Sequence, residues 1–157
     1  MAVYLENTNL FDLSNMKKLD NILLIDDDPT TNYINERLLS KLEIADSIII
    51  NTNAKNALTY LSRECRFANK FPNIIFLDLK MPNIDGFDFL KEFQKICFDI
   101  RKDIMIVILS SSTHIEDVIR LNNLGNFCFI SKPLTANKIS GVLTQYINLE
   151  KYSKQIA

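Results

Sequence analysis

The chain has 157 residues, with 18 basic against 19 acidic side chains and a formal net charge of −1. That length suits one domain, 47% apolar residues suffice for a substantial core, and the balanced charge leaves no basic footprint for nucleic acid. The longest apolar run, Ile104 to Leu109, falls far short of the roughly 20 residues that cross a bilayer, and the N-terminus lacks the basic, apolar and small-residue succession of a signal peptide. Neither a membrane nor nucleic acid is expected as a partner, and the expected compartment is the cytoplasm.

In chain order, residues 1–16 come first as an extension whose apolar positions (Val3, Leu5, Leu10, Phe11, Leu13) keep no sustained period. Residues 17–150 then read as one domain and 151–157 as a short tail, too little for an attached output domain. Within the domain, short apolar runs at Ile22–Ile25, Ser47–Ile50, Ile74–Leu77, Ile104–Leu109 and Phe127–Ile130 predict five buried strands. Between and after them the period changes to three and four: Ile34, Leu38, Leu42; Ala54, Ala57, Leu58, Leu61; Phe89, Leu90, Phe93, Cys97; Ile115, Val118, Ile119; and Ile139, Val142, Leu143, Tyr146, Ile147. Each set predicts one face of an amphipathic helix. Five alternating strand and helix units with all-apolar strands require a parallel sheet covered on both faces, so the predicted fold is a doubly wound three-layer α/β sandwich.

With only Gly86, Gly125 and Gly141 in the chain, neither a dinucleotide fingerprint nor a phosphate-binding P-loop can be written. Cys65, Cys97 and Cys128 are odd in number, widely spaced and joined only by His114 as a further metal ligand type. They read as buried or half-buried thiols, and His114 as a solvated loop or helix-start residue.

The polar residues are informative because of where they fall. Asp26 and Asp27 follow the first strand, Asp78 the third, Ser110 the fourth and Lys132 the fifth, all at carboxyl ends. Ligands of open α/β sheets bind outside those ends, where the strand order reverses. With an order 2-1-3-4-5 the three aspartates converge, and three carboxylates in one pocket demand shared protons or a cation. A hard divalent ion such as Mg²⁺ suits one or two carboxylates plus phosphate oxygens. Asp78, anchored by its strand, is placed to act as a nucleophile and take a phosphoryl group as an acyl phosphate, with Lys132 pairing with the phosphoryl charge and the Ser110 hydroxyl donating to one of its oxygens. Asp28 followed by Pro29 reads as a helix N-cap with Pro at the first helical position.

Over Lys17 to Leu149 the sequence closely resembles the receiver domains of response regulators, through the strings "ILLIDDDP", "IIFLDLKMPNIDGFDFL", "VILSSS" and "FISKPLT". The resemblance implies a flavodoxin-like five-stranded sheet in the order 2-1-3-4-5 and a stand-alone, chemotaxis-receiver-like switch. It implies Asp78 as phosphoacceptor, with Asp26, Asp27, Asp78 and the backbone carbonyl of Lys80 around Mg²⁺, and Ser110 and Lys132 at the phosphoryl group. It further implies Ser110 and Phe129 as the switch pair and a cis Lys132-Pro133 bond. A histidine kinase or histidine phosphotransfer protein would be the donor and a separate target protein the output partner, through the last strand and the two helices beside it. The protein would be a monomer or weak dimer and a self-modifying switch rather than a turnover enzyme. Departures are the Lys80 cation two residues past the acceptor, Leu134 where many members carry an aromatic, and a triple serine that leaves Ser110 against Ser111 open.

Two rivals stand beside this reading. Asp26, Asp28 and Thr30 spell the D-x-D-x-T motif of haloacid-dehalogenase-type phosphatases, with Asp26 as nucleophile and Ser110 and Lys132 in its later motifs. That family needs an acidic metal ligand after its lysine, where this chain offers only Glu150, and it leaves "DLKMPNIDG" without a role. The other rival is a receiver-like docking module that no longer takes up phosphate.

Overall fold

A computed structural model describes residues 3–4, 16–67, 70–96, 104–111, 115–125 and 127–156. After a two-residue strand β1 (Val3–Tyr4), strands and helices alternate: β2 (Leu19–Ile25), α1 (Pro29–Lys41), β3 (Ala45–Asn51), α2 (Ala54–Glu64), β4 (Ile74–Asp78), α3 (Gly86–Phe93), β5 (Met105–Ser110), α4 (Ile115–Asn122), β6 (Cys128–Ser131) and α5 (Ala136–Ile156). All pairings are parallel, in the order β1-β6-β5-β4-β2-β3. The five strands from β2 onward thus have the order 2-1-3-4-5. The expected five-stranded sheet gains a sixth strand, because Val3 and Tyr4 pair with Cys128 and Phe129 on the otherwise open edge.

Alternation along each strand splits the core in two. Leu23, Ile25, Ile75, Leu77, Ile106, Ile108 and Phe129 face α2, α3 and Leu121 of α4. Ile22, Leu24, Ile74, Phe76, Val107, Leu109 and Ile130 face α1 and α5, where Leu39, Ile139, Val142, Leu143 and Tyr146 meet them. The central strands β4 and β5 are buried throughout, as parallel strands covered by helical crossovers must be. The edge strand β3, expected as a buried strand at Ser47–Ile50, is instead half-buried with Asp46 and Ser47 exposed, because it has a neighbouring strand on one side only. Each fully buried Leu, Ile or Phe here contributes roughly 1.5–3 kcal/mol.

Helix starts follow their local chemistry. Asp28 caps α1, accepting from the Thr30 and Thr31 N–H groups and the Thr31 hydroxyl, with Pro29 at the first helical position; Asn53 and Asp85 cap α2 and α3 in the same way.

Three further expectations are corrected. The buried residues of α1 are Asn32, Asn35 and Leu39, while Ile34 is exposed and Leu38 and Leu42 are only half-buried; the cap and a bond from Asn32 to the Asp26 carbonyl set the helix rotation instead of its apolar stripe. In α4 it is Leu121 that enters the core, with Ile119 exposed. Residues 151–156 continue α5, since no Gly or Pro interrupts it after Gly141. Cys65, expected as a thiol, is disulfide-bonded, whereas Cys128 is a free, buried thiol. Cys97 and His114 lie outside the described residues.

Candidate functional site

Parallel register brings the polar strand ends together. Ile25 pairs with Leu77, so the next residues, Asp26 and Asp78, lie side by side; Asp78 pairs with Leu109 of β5, and Ser110 with Ser131 of β6. Lys132 follows directly. Asp26, Asp27 and Asp78 each place a carboxylate oxygen within 4.8 Å of the others. The Lys132 ammonium lies 2.7 Å from Asp26 Oδ2 and 3.2 Å from Asp78 Oδ2.

Asp26 is held at every polar atom. Its Oδ1 accepts from the Asp28 N–H at 2.9 Å, its carbonyl accepts from Asn32 Nδ2 at 2.7 Å, and its own N–H donates to the Asn51 carbonyl at 3.3 Å. Asn32 is a site residue that sequence reasoning missed, because its contact crosses from helix to strand end and leaves no periodic signal. Its Oδ1 is buried without a hydrogen-bond partner, so its retention there costs energy that the Asp26 contact offsets.

Asp78 ends β4 nearly buried, and the loop after it is rigidly built. The Lys80 N–H donates to its carboxylate, Met81 anchors the loop in the core, Asn83 adopts a left-handed φ of 67°, and the Gly86 N–H donates to the Leu79 carbonyl at 3.0 Å. Gly86 begins α3 against the backbone of Asp78 itself: a Cβ there would lie 2.7 Å from the Asp78 carbonyl oxygen and 2.8 Å from Leu79 Cα. Only glycine allows that approach.

The electrostatics follow from crowding. Burial raises the Asp78 pKa, and the Asp26 charge adds to that, against the pull of Lys132 and the Lys80 N–H. Burial alone would lower the Lys132 pKa, but its bonds and attraction to Asp26 and Asp78 outweigh burial and raise it. One ammonium faces three carboxylates, which leaves a net negative pocket suited to a divalent cation. The donor set fits Mg²⁺: ligand oxygens about 2.1 Å from the ion lie roughly 3 to 4.2 Å apart in an octahedron, a spread compatible with the three carboxylates.

Ser110 and Phe129 are both buried. Ile108 pairs with Phe129 and Ser110 with Ser131, which makes Ser110 and Phe129 diagonal neighbours on one face of the sheet. The Ser110 carbonyl accepts from the Lys132 N–H at 2.8 Å, and the Lys132-Pro133 bond is cis. Ser110 is the buried last residue of β5 and Ser111 beside it is exposed; Ser112 lies outside the described residues.

The family model for the response regulator receiver domain matches residues 22–144. Response regulator Rcp1 of Synechocystis is 30% identical over 122 residues, 77% of this chain and 80% of that protein. The chain spans about half the length of several other curated relatives. Among solved structures, a two-component response regulator from Cytophaga hutchinsonii superposes with a TM-score of 0.75 at 28% identity, over 84% of this chain and 99% of that one. The receiver domain of sensor histidine kinase PA1611 from Pseudomonas aeruginosa, determined with a magnesium ion coordinated in its active site cleft, shares the fold with a TM-score of 0.68 at 19% identity, covering 82% and 98%. With the sheet order and the converging strand ends, these matches show that the chain belongs to the response regulator receiver domain family of two-component signalling.

Proposed function

We propose that residues 17–150 form a receiver that accepts a phosphoryl group on Asp78 from a histidine kinase or histidine phosphotransfer protein and answers by altering a surface read by a downstream target protein. The observation that carries this is the convergence of Asp26, Asp27, Asp78 and Lys132 at one sheet edge. Such a role belongs in the cytoplasm, with residues 1–16 as an extension to the switch.

The Asp78 carboxylate attacks the phosphorus; the bond to the donor nitrogen breaks, its electron pair leaves with the donor, and an acyl phosphate forms. Lys132 exchanges its ion pair with Asp78 for one with a phosphoryl oxygen, and Ser110 donates its hydroxyl to another. Asp26, Asp27, Asp78 and the Lys80 carbonyl would hold Mg²⁺, which when bound neutralises charge on the transferring group. The magnesium ion in the active site cleft of the PA1611 receiver supports Mg²⁺ as the choice of ion. The phosphatase reading is opposed by Asp28, whose carboxylate is committed to capping α1.

The test is incubation with acetyl phosphate and Mg²⁺ followed by intact and peptide mass spectrometry. One phosphoryl group on Asp78, absent in Asp78→Asn and in excess chelator, supports the proposal. Labelling of Asp26 instead would establish the phosphatase-type reading, and no uptake at all the docking module.

A further inference from the structure

Lys138, in the first turn of α5, is half-buried without a carboxylate partner among the described ion pairs. Its ammonium instead donates to three oxygens that bracket Lys132: the Ser131 carbonyl at 2.6 Å, the Ser131 hydroxyl at 3.1 Å and the Pro133 carbonyl at 3.0 Å. An ammonium has three donors, so this one is saturated by the loop. The only residue between the bracketed carbonyls is Lys132, whose N–H is pinned from the other side by the Ser110 carbonyl at 2.8 Å.

We propose that Lys138 is a positioning residue for phosphoryl transfer, clamping the Ser131–Pro133 loop so that the Lys132 ammonium is delivered to the Asp26–Asp78 edge. This rests on the role given to Lys132 above. The physical need is specific. Lys132 carries a long, rotatable stem, and its 2.7 Å and 3.2 Å contacts hold only while its own backbone is fixed. Charge-assisted bonds to carbonyls are the strong kind, and a backbone displacement near 1 Å at a transfer site costs up to about 100-fold in rate. Lys138 touches neither carboxylate nor phosphoryl group and acts through Lys132 alone.

The experiment compares the parent with Lys138→Met, Lys138→Arg and Lys132→Ala in the full chain. Initial rates of phosphoryl uptake are followed against acetyl phosphate concentration, with amide NMR signals of Ser110 and Lys132 and urea stability recorded for each. Lys138→Met is expected to lower the saturating rate about tenfold and shift the Ser110 and Lys132 amides, with Lys138→Arg restoring part of the rate. If Lys138→Met takes up phosphate at the parental rate while Lys132→Ala is impaired, the clamp is refuted and the role of Lys132 stands. A loss of stability with no change in rate or in those amides likewise refutes it, as a structural bond only. A parental rate in Lys132→Ala overturns the underlying assignment itself.

Discussion

Replacing Gly86 by alanine tests whether the acceptor loop owes its shape to the close approach of α3 and β4. The added Cβ would meet the Asp78 carbonyl oxygen at 2.7 Å, Leu79 Cα at 2.8 Å and Leu79 Cδ2 at 3.0 Å. Two of these three are backbone atoms and cannot swing away. To restore an ordinary contact of 3.4 Å, the start of α3 and the end of β4 must separate by about 0.7 Å, which also stretches the Gly86 N–H bond to the Leu79 carbonyl. Overpacking of this kind costs roughly 1–3 kcal/mol, and a weakened hydrogen bond adds about 1 kcal/mol. Alanine returns roughly 0.4–1 kcal/mol by restricting the unfolded chain. The net expectation is a loss of about 1–3.6 kcal/mol, read as a lower urea midpoint at unchanged slope. Because the displaced backbone includes Asp78 itself, phosphoryl uptake should slow by about tenfold or more. An alanine variant within about 0.5 kcal/mol of the parent, the scatter of ordinary surface substitutions, and with unchanged uptake would refute the steric account.

Two further outcomes are expected. Ser110→Ala should still be labelled on Asp78, but the chemical-shift response around Phe129 and along α4 and α5 should shrink; an undiminished distant response would sink the proposed coupling through the Ser110–Phe129 diagonal. The Tyr146 hydroxyl is buried, accepts from Asn73 Nδ2 and donates to Glu150, and burial pushes its pKa up to about 12. A pKa raised on folding gives stability that is complete below the unfolded value near 10 and is lost as pH rises toward 12. Tyr146→Phe should therefore cost about 1 kcal/mol at neutral pH and flatten the alkaline decline between those values; an identical decline in urea midpoint would exclude Tyr146 as its source.

The sequence was sufficient wherever the information is local. Apolar runs and period changes mark every strand and helix from β2 to α5, and the Asp28-Pro29 pair marks a helix start, because side-chain direction and capping depend on neighbours a few residues away. It also put Asp26, Asp78, Ser110 and Lys132 at strand ends; their convergence was implied by resemblance, and the sheet register places them together. Tertiary structure decided the rest. Whether α1 buries Ile34 or Asn32 depends on a bond to the end of β2 that helical period cannot encode. Val3 and Tyr4 become a strand only because β6 offers an open edge more than a hundred residues away. Lys138 looks like any solvated helix lysine until the chain turns after β6 and sets three oxygens around its ammonium. Those contacts join groups distant in sequence or aligned by one particular turn, so their energies exist only once the sheet is assembled.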